Sequence, residues 1–164
     1  GLGIDYDHPD HNPIPDFNAY FKVFKDNLEI RNGQQVHFEL GRSIVAQCGA
    51  LVSSVLYVKQ GHTKNFLIVD AGFTELIRPA MYGSLHFTEN ITAEGAPTAH
   101  YDIVGPICES SDVFAKDYPL PTSQRGDIIV FRSAGAYGEV MASTYNCRTL
   151  PLTFTTEQLL NKQL

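Results

Sequence analysis

The stretch SIVAQCGALVSSVLYVKQ, residues 43–60, decides how the chain reads. It is dense in β-branched residues and long for one straight strand, so Gly49 is expected to mark a bend or bulge within it. KNFLIVD, residues 64–70, follows the turn at Gly61 and reads as the antiparallel partner. Further along, GSLHFTE (83–89), AHYDIVG (99–105), GDIIVFR (126–132) and LPLTFT (150–155) are strand candidates. TELI (74–77) and SDVFAK (111–116) read as single helical turns, and TEQLLNKQL (156–164) as a closing helix. The balance is mainly β, broken by Gly and Pro, the pattern of a barrel or sandwich with decorated loops.

Toward the N-terminus the character differs, and a boundary is expected near Arg42. Residues 1–42 read as loop, helix and strand, like a piece of an α/β barrel, and residues 43–164 as the β-rich domain. In PDFNAYFKVFKDNL (15–28), Phe17, Tyr20, Phe21, Phe24 and Leu28 recur at helical intervals behind a candidate N-cap, Asp16. Such an aromatic stripe is expected to be core. NGQQVHFELGR (32–42) reads as a turn and a strand in which Val36 and Phe38 alternate with Gln35, His37 and Glu39. His8 and His11 fall in a Gly-, Asp- and Pro-rich loop and His37 on a strand face, so no metal site is expected. The chain begins GLGIDYD, with no Met, and reads as a fragment.

The formal charge is −6 and the pI about 5.4, which leaves no basic footprint for nucleic acid. No apolar run approaches the roughly 20 residues that span a bilayer, and no secretory leader pattern is present. Cys48, Cys108 and Cys147 show no CxxC spacing, hence neither a zinc site nor a disulfide framework is indicated, and a reducing, cytoplasmic setting is expected.

Several short motifs carry chemistry. Glu39 and Arg42, in ELGR, fall where a predicted strand ends, a place that suits ligand contact in a barrel and equally an exposed ion pair. Arg78 and Tyr82 are four residues apart, so one helical turn points both the same way, and a guanidinium fork with a phenol suits a carboxylate. Gly135, Ala136 and Gly138 surround Tyr137, as in a close backbone approach to a ligand or a packed hairpin corner. Cys108 is followed by Glu109, whose charge favours the protonated thiol and so a proton donor over a nucleophile; the plainer alternative is a buried, inert cysteine.

Taken in order, GLG (1–3), ELGR (39–42), VDAGFTELIRPAMY (69–82), VGPICESSD (104–112) and GDIIVFRSAGAYGEVMASTYN (126–146) resemble the diaminopimelate decarboxylases, from Gly1 to about Pro151. The resemblance implies the C-terminal β-barrel-like domain of the alanine-racemase-like decarboxylases, preceded by a remnant of a TIM-type barrel that binds pyridoxal 5′-phosphate. It implies removal of CO₂ from meso-diaminopimelate to give L-lysine, in a homodimer whose sites are shared between subunits.

Residue by residue, Gly1 and Gly3 resemble the end of a glycine loop that holds the cofactor phosphate. Glu39 is similar to the glutamate facing the pyridine nitrogen. Gly41 and Arg42 match a segment lining phosphate and substrate, Arg78 and Tyr82 a carboxylate-binding pair, and Tyr137 a tyrosine beside cofactor and substrate. Cys108 matches a thiol that returns a proton to carbon, and Glu109 an acid that contacts the substrate's distant amino group, both in the neighbouring subunit's site. The family's Schiff-base lysine has no match among Lys22, Lys25, Lys59, Lys64, Lys116 and Lys162, so the isolated chain is expected to be inactive. CRTLPLTF (147–154) lacks the family's Arg-Pro repeat. Related decarboxylases of ornithine, arginine or carboxynorspermidine, and a non-catalytic dimerisation or regulatory β-domain, stand as alternatives.

Overall fold

Phe17–Asn27 forms helix α1 in the computed structural model, which describes residues 1–161. Asp16 caps it as expected, its carboxylate accepting from Ala19 N at 2.8 Å. The aromatic stripe is not core, however: α1 buries no residue, and Phe21, Phe24 and Leu28 stand exposed. Its rings meet mainly Phe38, with centroids 4.9 Å from both Phe21 and Phe24. Residues 34–40 run without strand pairing, contrary to the strand expected there, because no neighbouring strand supplies a ladder.

The stretch at 43–60 divides in two. Arg42–Val45 is a short helix, α2, and Ala46–Cys48 a 3₁₀ turn, where a strand was expected. The reason lies in their partners: Ala134 N donates to Gly49 O (2.8 Å) and Gly135 N to Ala46 O (2.9 Å), so a loop, not a strand, takes these carbonyls. That contact needs two glycines. A Cβ on Gly135 would sit 2.1 Å from Val45 O, and one on Gly49 would sit 2.7 Å from Gly135 Cα. Only then does β1, Leu51–Gln60, begin.

β1 is irregular between Val55 and Tyr57; its first half pairs antiparallel with Ile128–Phe131 and its second half with Asn65–Val69. The remaining elements are β2 (Asn65–Val69), helix α3 (Arg78–Tyr82), β3 (Thr88–Asn90), β4 (Thr98–Val104), β5 (Val113–Pro121), β6 (Ile128–Phe131) and helix α4 (Thr156–Asn161). Strand order is β3-β6-β1-β2-β4-β5, antiparallel except for β2 with β4. The two edges approach: Thr88 N of β3 donates to the Tyr118 hydroxyl of β5 at 3.0 Å. The sheet is thus nearly closed and barrel-like, around Val55, Leu67, Val69, Ile103, Leu120, Ile129 and Phe131. Phe114 stacks on Phe131 inside, with centroids 4.3 Å apart.

A helical turn was expected over residues 111–116; β5 instead begins at Val113, since Phe114 and Ala115 bury on the core only if that segment extends beside β4. In 83–89 only the end is strand, and 150–155 form none. The closing helix is observed, while Lys162, Gln163 and Leu164 lie outside the described residues. No helix among the described residues is long and apolar enough to cross a membrane.

Candidate active site

Helix α3 is a single turn with Pro79 at its start, where a missing N–H costs nothing, and Gly83 in the left-handed region (φ 61°) at its end. Its i,i+4 spacing puts Arg78 and Tyr82 on one face, as expected. Arg78 is only 7% exposed. Its guanidinium lies among three aromatic rings, 5.9 Å from Tyr6, 5.3 Å from Tyr82 and 5.1 Å from Tyr137. Nη2 donates to Ser84 Oγ at 3.3 Å, and buried Nε has no partner. Among the described residues no carboxylate pairs with it. A buried cation with an idle donor is unfavourable unless an anion arrives, and the tyrosine faces hold it meanwhile by cation–π attraction.

Arg78 opens into a cleft of about 470 Å³ lined by Gly1, Leu2, Glu39, Leu40, Gly41, Arg42, Ser43, Arg78, Tyr82, Tyr137 and Met141. Seven residues expected from separate motifs converge there: Gly1, Glu39, Gly41, Arg42, Arg78, Tyr82 and Tyr137. The volume suits a small ligand. No Glu39–Arg42 ion pair forms among the described residues, so both charges can face a ligand. Tyr137 adopts φ 65°, a costly conformation for a residue with a Cβ. The Gly49–Gly135 contact brings its loop against α2, and Tyr137 carries its ring over Arg78.

Gly3 does not line the cleft, and neither do Cys108 and Glu109. Cys108 is exposed, which removes the reading of a buried, inert thiol. Its loop is rigidly framed. The buried Asp112 carboxylate accepts from Ile107 N at 2.8 Å and from Phe73 N at 2.7 Å, and Gly105 N donates to Asp112 O at 3.1 Å. Burial pushes the Asp112 carboxyl above its ordinary value, partly offset by those two backbone donors. A Cβ on Gly105 would meet that carboxylate at 2.3 Å. Cys108 and Glu109 therefore sit exposed on a braced turn, outside the lining of their own chain's cleft.

Three contributors went unseen in the motifs. Tyr6 supplies a face to Arg78 and an edge contact to His86, centroids 4.9 Å apart. His86, 2% exposed, donates from Nδ1 to Arg132 O at 2.9 Å and leaves Nε2 unpartnered. Tyr145 donates its hydroxyl to Glu109 Oε1 at 2.5 Å. Tyr6 and Tyr145 lie inside or beside the quoted motifs, but spacing along the chain carries no sign of contacts closed by loops.

Residues 6–135 match the model of a family described as pyridoxal-dependent decarboxylase, C-terminal sheet domain. The chain is 58% identical over 159 residues to the diaminopimelate decarboxylase of Bacteroides thetaiotaomicron, covering 97% of this chain and 41% of that protein. A crystal structure from Aquifex aeolicus superposes with a TM-score of 0.80 at 40% identity, over 90% of this chain and 36% of the other. The diaminopimelate decarboxylase of Helicobacter pylori complexed with L-lysine gives 0.63 at 48% identity, over 67% of this chain and 27% of that one. The chain thus spans about two fifths or less of the lengths of these relatives.

Proposed function

We propose, for a chain that belongs to the pyridoxal-dependent decarboxylases through their C-terminal sheet domain, that it works as part of an enzyme converting meso-diaminopimelate to L-lysine and CO₂. One observation carries the reading: the buried Arg78, which pairs with no carboxylate among the described residues and is held by Tyr6, Tyr82 and Tyr137 at the wall of a cleft. Diaminopimelate keeps a second carboxylate after the first is lost, and a guanidinium with an idle Nε is suited to receive it.

The residues present fit pyridoxal 5′-phosphate. Glu39 supplies a carboxylate for a protonated ring nitrogen, Arg42 a cation, and Gly1 and Gly41 walls on which a Cβ would touch nothing. Gly3 stands next to that wall and would join it only through its backbone. The bound cofactor supplies an electron sink as CO₂ departs. Around it, Arg78 and Tyr82 orient the retained carboxylate and Tyr137 covers the cleft from solvent. Cys108 returns a proton to the substrate carbon, and Glu109 takes the distant ammonium.

Because Cys108 and Glu109 lie outside their own chain's cleft, the reading requires a homodimer in which each copy lends this pair to the other. The domain division at Arg42 and a cytoplasmic setting belong to the same reading. The supporting experiment extends the reading frame upstream of Gly1, purifies the whole protein with pyridoxal phosphate, and assays CO₂ release. Lysine formed from meso-diaminopimelate is the expected result, with ornithine, arginine and carboxynorspermidine turned over far more slowly. Preference for one of those amines would overturn the substrate.

A further inference from the structure

We propose that Tyr145 is a positioning residue for Glu109, fixing the carboxylate that selects the substrate's distant ammonium group. This rests on the reading above for the identity of that ammonium, but the contact itself stands on geometry.

The backbone of Glu109 has little freedom. Its N–H donates to Ile107 O at 2.8 Å, its carbonyl accepts from Asp112 N at 3.2 Å, and the Asp112 carboxylate ties both Ile107 and Phe73. The long side chain is what remains mobile, since Glu109 is exposed. Tyr145 removes that freedom by donating its hydroxyl to Oε1, which leaves Oε2 and the outer lone pairs for an incoming N–H donor.

Tyr145 is itself anchored from the same framework. Its ring lies against Phe73, centroids 5.8 Å apart and tilted 31°. On one side of it, Ser143 N donates to Thr74 O at 2.9 Å. On the other, Arg148 Nε donates to Glu75 Oε1 at 3.1 Å and Nη2 to Asp70 O. The next two residues, Asn146 and Cys147, hold φ of 58° and 60°, a costly pair for side-chain-bearing residues that surrounding contacts must enforce. One loop, residues 70–75, therefore braces both the hydroxyl donor and the turn that bears its acceptor. The hydrogen bond to Glu109, then the Glu109 charge, push the Tyr145 phenol above its ordinary value, which keeps it a donor.

A carboxylate already held in place loses less side-chain freedom on binding an ammonium, so the benefit appears in substrate affinity rather than in the chemical step. Tyr145→Phe tests this, because it keeps the ring against Phe73 and removes only the hydroxyl. In the whole enzyme, KM for meso-diaminopimelate is expected to rise about tenfold while kcat falls much less. In a Glu109→Gln background, Tyr145→Phe is expected to add little to KM. An unchanged KM, or full additivity in the double variant, overturns the proposal.

A second readout needs no turnover. In this chain, the tyrosinate absorbance assigned to Tyr145 by difference from Tyr145→Phe is expected to appear at higher pH than that of an ordinary tyrosine. Glu109→Gln is expected to bring it down. Ionisation at the ordinary value, indifferent to Glu109→Gln, also overturns the proposal. If the wild-type enzyme releases no CO₂ from meso-diaminopimelate, the substrate reading falls, and the phenol titration alone decides on Tyr145.

Discussion

The Arg78 guanidinium lies 5.1 Å from the ring centroid of Tyr137, a residue of the loop that follows β6, held at φ 65°. A charge with no counter-ion among the described residues and a residue in a costly conformation are each unfavourable for folding, and they occur together at one cleft wall. Arg78→Met keeps the length of the side chain and removes the buried charge. The chain carrying it is expected to unfold at a higher urea concentration, a gain of about 1 kcal/mol. In the whole enzyme the same change is expected to lower kcat/KM for diaminopimelate about 100-fold, the loss of a charge-assisted pair. A variant less stable and equally active would show that Arg78 serves the fold.

Gly135→Ala addresses the contact that brings Tyr137 to the cleft. Its Cβ would fall 2.1 Å from Val45 O and 2.9 Å from Gly49 N, both backbone atoms that cannot turn aside. The expected loss is about 1–3 kcal/mol, from overpacking. Gly1→Ala, whose Cβ would meet nothing within 4 Å, is expected to leave stability unchanged. Paired thermal unfolding curves check both.

How much of this was legible in the sequence depended on whether the signal was local. Asp16 and the spacing of Tyr20, Phe21 and Phe24 are local, and helix α1 follows them; what covers its aromatic face is not local, and the expected burial does not occur. Ile44 and Val45 carry strand propensity, yet their segment is helical because the loop at Ala134 and Gly135 claims its carbonyls. Residues 111–116 read as a helical turn, but from Val113 on they run extended in β5 under the pull of the core on Phe114. At the cleft, Arg78 and Tyr82 were readable from i,i+4 spacing alone. The convergence of Glu39, Arg42 and Tyr137 on them came through the family resemblance, and the Tyr145–Glu109 contact came through neither.

Asp112 tests the brace under Cys108. Its two oxygens serve different backbone donors, Phe73 N and Ile107 N, and an asparagine has one oxygen, so Asp112→Asn leaves a buried N–H facing an NH₂. At neutral pH the variant is expected to lose about 1–3 kcal/mol. The pH dependence has the opposite sense. The folded carboxyl titrates above the ordinary 3.8, so just above that pH the native state holds more protons than the unfolded chain, and stability falls as pH rises through that window. Asp112→Asn is expected to remove this slope while lowering stability at pH 7. Urea unfolding at a series of pH values measures both.

His86 sets the acid limit of the Arg78 side of the cleft. Burial pushes its imidazole below the ordinary 6.5; the Arg132 carbonyl offsets part of that, and the Arg78 charge adds to the fall. The unfolded chain therefore takes up a proton at a pH where the native state does not. Stability from this residue is present above about 6.5 and is lost as pH drops below it, by at most about 1.4 kcal/mol per pH unit. His86→Asn places an amide N–H where Nδ1 now donates to Arg132 O and has nothing to titrate. Its unfolding midpoint is expected to stay level through the range where the wild type weakens, down to the pH at which carboxylates take over. If wild type and variant weaken in parallel below 6.5, the imidazole enters the folded state free to charge, and the neutral ring assigned behind Tyr6 and Arg78 is wrong.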